Sequence, residues 1–193
     1  MSRHARAAAA VEADEAPAAA PVRWADRALE VGATPFDATR GSALFARLWA
    51  ADPHGVELDA AELARLGEHL QFVAVAARRE LIRQDEPGDF MLVVLEGRVA
   101  VDRVLPWGAR ARLAEAGAGE MLGEMSLLDA GARFSACSSS SDCVLAVLDA
   151  AGLDALMQGE PRLALALMTS LARRLSLRLR QVSARLSALL SGA

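Results

Sequence analysis

The stretch that most restricts what this chain folds into is DFMLVVLEGRVAV, residues 89–101. In an extended strand Phe90, Leu92 and Val94 point to one side, and Met91, Val93 and Leu95 to the other. Both sides are apolar, so the strand needs a covering layer on each face. Turn signals recur around it at Pro87-Gly88, Glu96-Gly97, Pro106-Trp107-Gly108 and Gly117-Ala118-Gly119. Short strands broken at such intervals predict a small barrel or roll, with CVLAVLDA (residues 143–150) as its closing strand.

Helical patterns flank this region. Residues 24–51 hold two short amphipathic stretches, of which SALFARLWAA is the clearer, with Leu44, Phe45, Leu48 and Trp49 on one stripe. After the turn DPHG, Asp59 is an N-cap and Glu62 completes a capping box. Leu58 and Leu63 form a hydrophobic staple, and Leu66 and Leu70 continue the buried face. These helices read as packing elements without a site. The last segment opens on Pro161, well placed in a first helical turn. Met168, Leu171, Leu175, Leu179, Val182, Leu186 and Leu189 follow at steps averaging 3.5, the seam of a helix that pairs with another. A second copy of the chain, giving a homodimer, and the chain's own roll are both candidate partners. The expected fold class is α+β. A disordered Ala/Pro-rich arm covers residues 1–22, helices 23–70, the roll 71–150, and C-terminal helices 151–193.

Composition removes several functions. The 193 residues include no lysine, so a P-loop is excluded. Cys137 and Cys143, with His4, His54 and His69, lack the spacing of a zinc site and fall short of an iron–sulfur ligand set. No metal is expected, and the two thiols read as small apolar residues. Neither a signal peptide nor a membrane span is visible, so the protein is expected in the cytoplasm and away from membranes. No nucleophile–base–acid constellation is present, and the glycines before Gly123 miss the dinucleotide spacing by one, so no enzyme is expected. Heavy use of Ala, Leu and Arg reads as a GC-rich, bacterial base composition. The net charge is −4, yet residues 161–193 carry six arginines and no acid, leaving −10 on the remainder.

The candidate site lies in LGEMSLLDAGARFSA, residues 122–136. EMSLLD forms one helical turn directly after Gly123, with free backbone N–H groups beside the glycine. Gly123 allows close approach of a ligand, and Arg133 offers a bidentate contact to phosphate. Glu124 repels phosphate but accepts from hydroxyls, so acid and arginine together suit a sugar phosphate.

This segment resembles the phosphate-binding cassette of the cyclic nucleotide-binding domain family: Gly123-Glu124-Met125-Ser126-Leu127-Leu128, four residues, then Arg133. RQDEPGDFMLVVLEGRVAV is similar to the family's strand–glycine–strand signature, and the likeness spans residues 60–180. The resemblance implies a catabolite-activator-like double-stranded β-helix, or β-roll, with helices at both ends. It implies that Glu124 holds the ribose 2′-hydroxyl of cAMP or cGMP and Arg133 the cyclic phosphate. Gly123, Glu124 and Met125 line the cup, with Ser126 at its edge. Two features depart from the family. Phe134 stands where Ser or Thr often follows the arginine, removing a hydroxyl donor worth about 1 kcal/mol. Ser135 replaces it only if the strand shifts by a residue. Asp85 stands where a glycine usually precedes the Pro87 turn. Counting along the pattern brings Arg178 near a bound purine; the other reading is a solvated arginine on a basic helix.

The family's transcription factors carry a helix-turn-helix after this helix, and none is visible here, so direct DNA binding is not expected. The reading is a stand-alone cyclic nucleotide sensor that signals through its C-terminal helix to a downstream protein. The alternative is a ligand-independent interaction or dimerisation module, which Phe134 favours and the retained Glu124–Arg133 pair opposes, unless those two simply salt-bridge each other.

Overall fold

The computed structural model describes residues 20–191. The doubly apolar strand forms as β4 (Phe90–Glu96), between β9 (Cys143–Asp149) and β7 (Met121–Leu122). Its sheet is completed by β2 (Gln71–Val75) and the two-residue β1 (Thr34–Pro35), in the order β1-β2-β9-β4-β7. A second sheet, β3-β8-β5-β6, is formed by β3 (Glu80–Ile82), β5 (Val99–Val104), β6 (Arg110–Ala116) and β8 (Ala136–Ser139). All the ladders are antiparallel.

The two faces of β4 go to two separate cores. Phe90, Leu92 and Val94 pack inside the roll with Leu81, Ile82, Val99, Leu145 and Val147. Met91, Val93 and Leu95 pack outward against helices, with Phe45, Trp49, Leu66, Leu156, Leu163 and Leu171. The closing strand β9 divides in the same way, Leu145 and Val147 inward, Ala146 and Leu148 outward. Truncating Leu92 or Leu145, both fully buried, to alanine costs about 2–5 kcal/mol.

The helices are α1 (Trp24–Val31), α2 (Ala38–Ala51), α3 (Ala60–Glu68), α4 (Glu124–Asp129), α5 (Ala150–Gly159) and α6 (Pro161–Ser191). The architecture is the expected α+β roll, flanked by N-terminal helices and a long C-terminal one. Asp59 and Glu62 make the capping box reciprocally. The helix predicted from Ser42 starts earlier, at Ala38, because Asp37 caps it by accepting from the Arg40 N–H. The arm expected over 1–22 lies outside the described residues except for 20–22. Val22 itself is paired, its N–H donating to the Pro87 carbonyl at 2.9 Å.

Of the seam predicted for α6, the structure covers only the first part. Leu171 is buried and Met168 packs against the chain's own core, whereas Leu179, Val182, Leu186 and Leu189 are exposed. The chain's own body covers the start of the seam and leaves its distal half open.

Asp85 has φ of 64°, the left-handed region that favours glycine. Its N–H donates to the Arg133 carbonyl, while the Arg133 N–H donates to the Glu86 carbonyl, both at 2.9 Å. Two residues therefore oppose one, a bulge whose first position is usually glycine. Aspartate tolerates this conformation better than most residues. Asp85→Gly is expected to stabilise the protein by about 1 kcal/mol, read as a rise in urea midpoint at unchanged slope.

Candidate functional site

The site is built where the Asp85–Asp89 turn, the β7–α4 junction and the segment entering β8 converge. Gly123 has φ of 77°, and this left-handed step turns the chain from β7 into α4. A Cβ at Gly123 would lie 2.7 Å from Arg133 Nη1 and 2.9 Å from Ile82 Cδ1. At Gly88 it would lie 2.4 Å from Arg133 Nε. The Arg133 guanidinium is therefore wedged between two glycines, and neither position has room for a side chain.

Arg133 is 1% exposed. Its Nη1 donates to the Gly123 carbonyl at 2.7 Å, and its guanidinium lies 4.5 Å from the centre of the Phe90 ring. Its Nε and Nη2 are buried and find no hydrogen-bond partner among the described residues. Burial pulls its pKa below the ordinary arginine value, opposed first by the charge of Glu86. A buried cation with two unclaimed donors suits an oxyanion able to accept from both. Both of these nitrogens, Nε and Nη2, lie against Gly88.

Glu124, the first residue of α4, is also buried. It does not salt-bridge Arg133, an arrangement that the sequence left open. Its carboxylate accepts from Arg178 Nη1 of α6 at 2.6 Å, and Arg178 Nη2 donates to the Met121 carbonyl at 3.1 Å. Arg178 is thus not a merely solvated arginine: in this structure it is bonded to the acid of the cup. One turn earlier, Arg174 binds Asp52 at 2.6 Å and the Gly119 carbonyl at 3.0 Å. These two arginines clamp the middle of α6 to the roll and to the end of α2.

The structure thus brings Gly123, Glu124, Arg133 and Arg178 together. Ser126 of α4, expected at the rim, is buried, and the Met125 side chain is half exposed. Ser135 stands half-buried just before β8. Phe134 turns outward, with the Arg103 guanidinium 4.3 Å from its ring centre and Arg103 Nη1 donating to its carbonyl. The thiols of Cys137 and Cys143 are buried, and burial pushes the Cys137 pKa up to about 12. No cluster of three metal-ligating side chains occurs among the described residues.

Residues 72–160 match the family model described as cyclic nucleotide-binding domain. Residues 72–160 are thus similar to the cyclic nucleotide-binding domain family. A cyclic nucleotide-binding domain from Methylobacillus flagellatus superposes with a TM-score of 0.73 at 25% identity, covering 79% of this chain and 86% of that one. The catabolite activator protein of Thermus thermophilus superposes with a TM-score of 0.64 at 29% identity, covering 72% of this chain and 63% of that one. A CRP-like cAMP-activated global transcriptional regulator of Mycobacterium tuberculosis is 31% identical over 121 residues, 63% of this chain and 53% of that protein. The chain thus spans about half the length of the curated relatives it matches. It carries a cyclic nucleotide-binding regulatory domain, and no helix among the described residues is long and apolar enough to cross a membrane.

Reading the sequence missed Arg27, Glu86 and Trp24. Arg27 is fully buried and paired with Glu86, and Trp24 packs edge-on against Phe90, the ring beneath Arg133. A signal was present, because Arg27 shares a helical stripe with Trp24 and Val31, and an arginine on a buried stripe needs a partner.

Because Arg133 is buried with donors unclaimed, it weighs against the stability of the ligand-free protein. Arg133→Met is expected to raise the melting temperature of the ligand-free protein by a few degrees, equivalent to about 1 kcal/mol, while abolishing any thermal shift with cAMP or cGMP.

Proposed function

We propose that this protein is a cyclic nucleotide-responsive regulator that takes cAMP or cGMP in the cup and signals through α6 to a downstream protein. The observation that carries the reading is the Arg178–Glu124 pair, which joins the cup to the C-terminal helix. The phosphate engages the Nε and Nη2 groups of Arg133, which are unclaimed among the described residues. A ribose hydroxyl donates to Glu124, whose carboxylate Arg178 engages through Oε1, so that both meet at one acid. The two contacts are close in strength. A hydrogen bond to a carboxylate contributes about 1.5–3 kcal/mol, and an ion pair whose arginine is half exposed contributes about 1 kcal/mol. A ligand can therefore tip the balance, and it shifts α6 because it favours the helix position in which Arg178 has left Glu124. The released guanidinium is then available to the purine, by stacking or by donating to guanine O6 and N7.

Calorimetric titration with cAMP and then cGMP tests this reading. Micromolar binding is expected, with Arg133→Ala and Glu124→Ala each removing it. Absence of heat and of thermal shift with either nucleotide would reject the sensor. It would favour the interaction module, with Arg178–Glu124 as a permanent lock and Phe134 as the reason for the lost phosphate contact.

The open distal half of the α6 seam supports pairing with a second copy of the chain. The wild type is expected to sediment as a dimer, and Leu179→Glu combined with Leu186→Glu as a monomer with unchanged circular dichroism. A monomeric wild type at micromolar concentration overturns the pairing.

A further inference from the structure

Two acids of the chain itself, Glu86 and Asp89, carry charges that favour the Arg133 cation, and Asp89 keeps a buried Oδ1 without a partner among the described residues. Glu86 sits across the bulge from Arg133, its carbonyl accepting the Arg133 N–H. Side chains opposite one another in such a ladder are near neighbours. Glu86 also leads the charges that favour the Arg133 cation. Yet its carboxylate is not bonded to Arg133. Both oxygens of Glu86 accept from Arg27 Nη2, one at 2.6 Å, and Arg27 Nη1 donates to Glu30 at 2.7 Å. Arg27 is fully buried, and α1 seats it there through Trp24, whose ring lies 5.2 Å from that of Phe90.

We propose that Arg27 is a positioning residue for the ligand phosphate: by holding the Glu86 carboxylate, it keeps Glu86 from capping the Arg133 guanidinium. The helix carrying it lies upstream of the segment that the family model matches. The domain's anion site is thus completed by a helix from outside it. In the absence of Arg27, the half-buried Glu86 carboxylate, then held only by the Arg83 N–H at 3.3 Å, turns to the buried guanidinium across the bulge, and a ligand must break that pair before it binds. This inference rests on the reading of Arg133 as the phosphate-binding group.

The test is a mutant cycle on the full chain, titrated calorimetrically with cAMP and cGMP. Arg27→Met is expected to weaken binding by at least about ten-fold, as displacement of a positioned group does. Arg27→Met combined with Glu86→Gln replaces the ion pair by groups of similar volume and is expected to return binding to near the wild-type value. Simple loss of packing would give no such recovery. An Arg27→Met protein with native circular dichroism and wild-type affinity overturns the proposal. So does a double variant that binds as poorly as the single one. Should Arg27→Met not fold, Arg27→Lys takes its place. A weaker loss reversed by Glu86→Gln supports the proposal, and an unchanged affinity overturns it. A wild type that binds neither nucleotide removes the nucleotide reading and this inference with it. Wild-type binding with indifferent variants removes only the role of Arg27.

Discussion

The site depends on one buried cation. Arg133 stands inside the roll between two glycines and over an aromatic ring, with a carbonyl on one nitrogen and two nitrogens without a partner among the described residues. Leaving such a group uncompensated opposes folding, so the surrounding structure has to hold it in place. It does so by steric confinement at Gly88 and Gly123, by the bulge at Asp85 and Glu86, and by the Phe90 face. Each of these comes from a different part of the chain, which is why the roll must close before the site exists.

Around that cation two acids are already engaged, while Asp89 keeps a buried Oδ1 without a partner among the described residues. Glu86 is held by Arg27 of α1, and Glu124 by Arg178 of α6. The helices at both ends of the chain thus reach the same small region through arginine–carboxylate pairs. The pairs differ in consequence. The Arg27 pair has a cation fully shielded from water and braces the site, whereas Arg178 is half exposed and its contact is exchangeable. A ligand that engages Glu124 acts on the weaker of the two links, and that link leads to the helix whose distal half is unpartnered.

Much of this was legible in the residue order. The double apolar alternation of β4 predicted a two-layer cover, and its two faces do enter two different cores. The capping box at Asp59 and the helical turn after Gly123 depend only on neighbours within a few residues, and both formed as read. The acid and the arginine of the cassette were visible as a spaced pair. Their partners were not, because Arg178 lies 54 residues from Glu124, and 59 residues separate Arg27 from Glu86.

The sequence by itself determined the alternation of faces, the turns, the caps and the glycines that a guanidinium can lie against, since these follow from local sterics and from apolar periodicity. The tertiary structure decided which carboxylate answers to which arginine. With 21 basic and 25 acidic side chains in the chain, charge alone permits many pairings. Burial selects among them, because an ion taken from water needs its partner within bonding distance, and only the closed roll with its two flanking helices sets those distances.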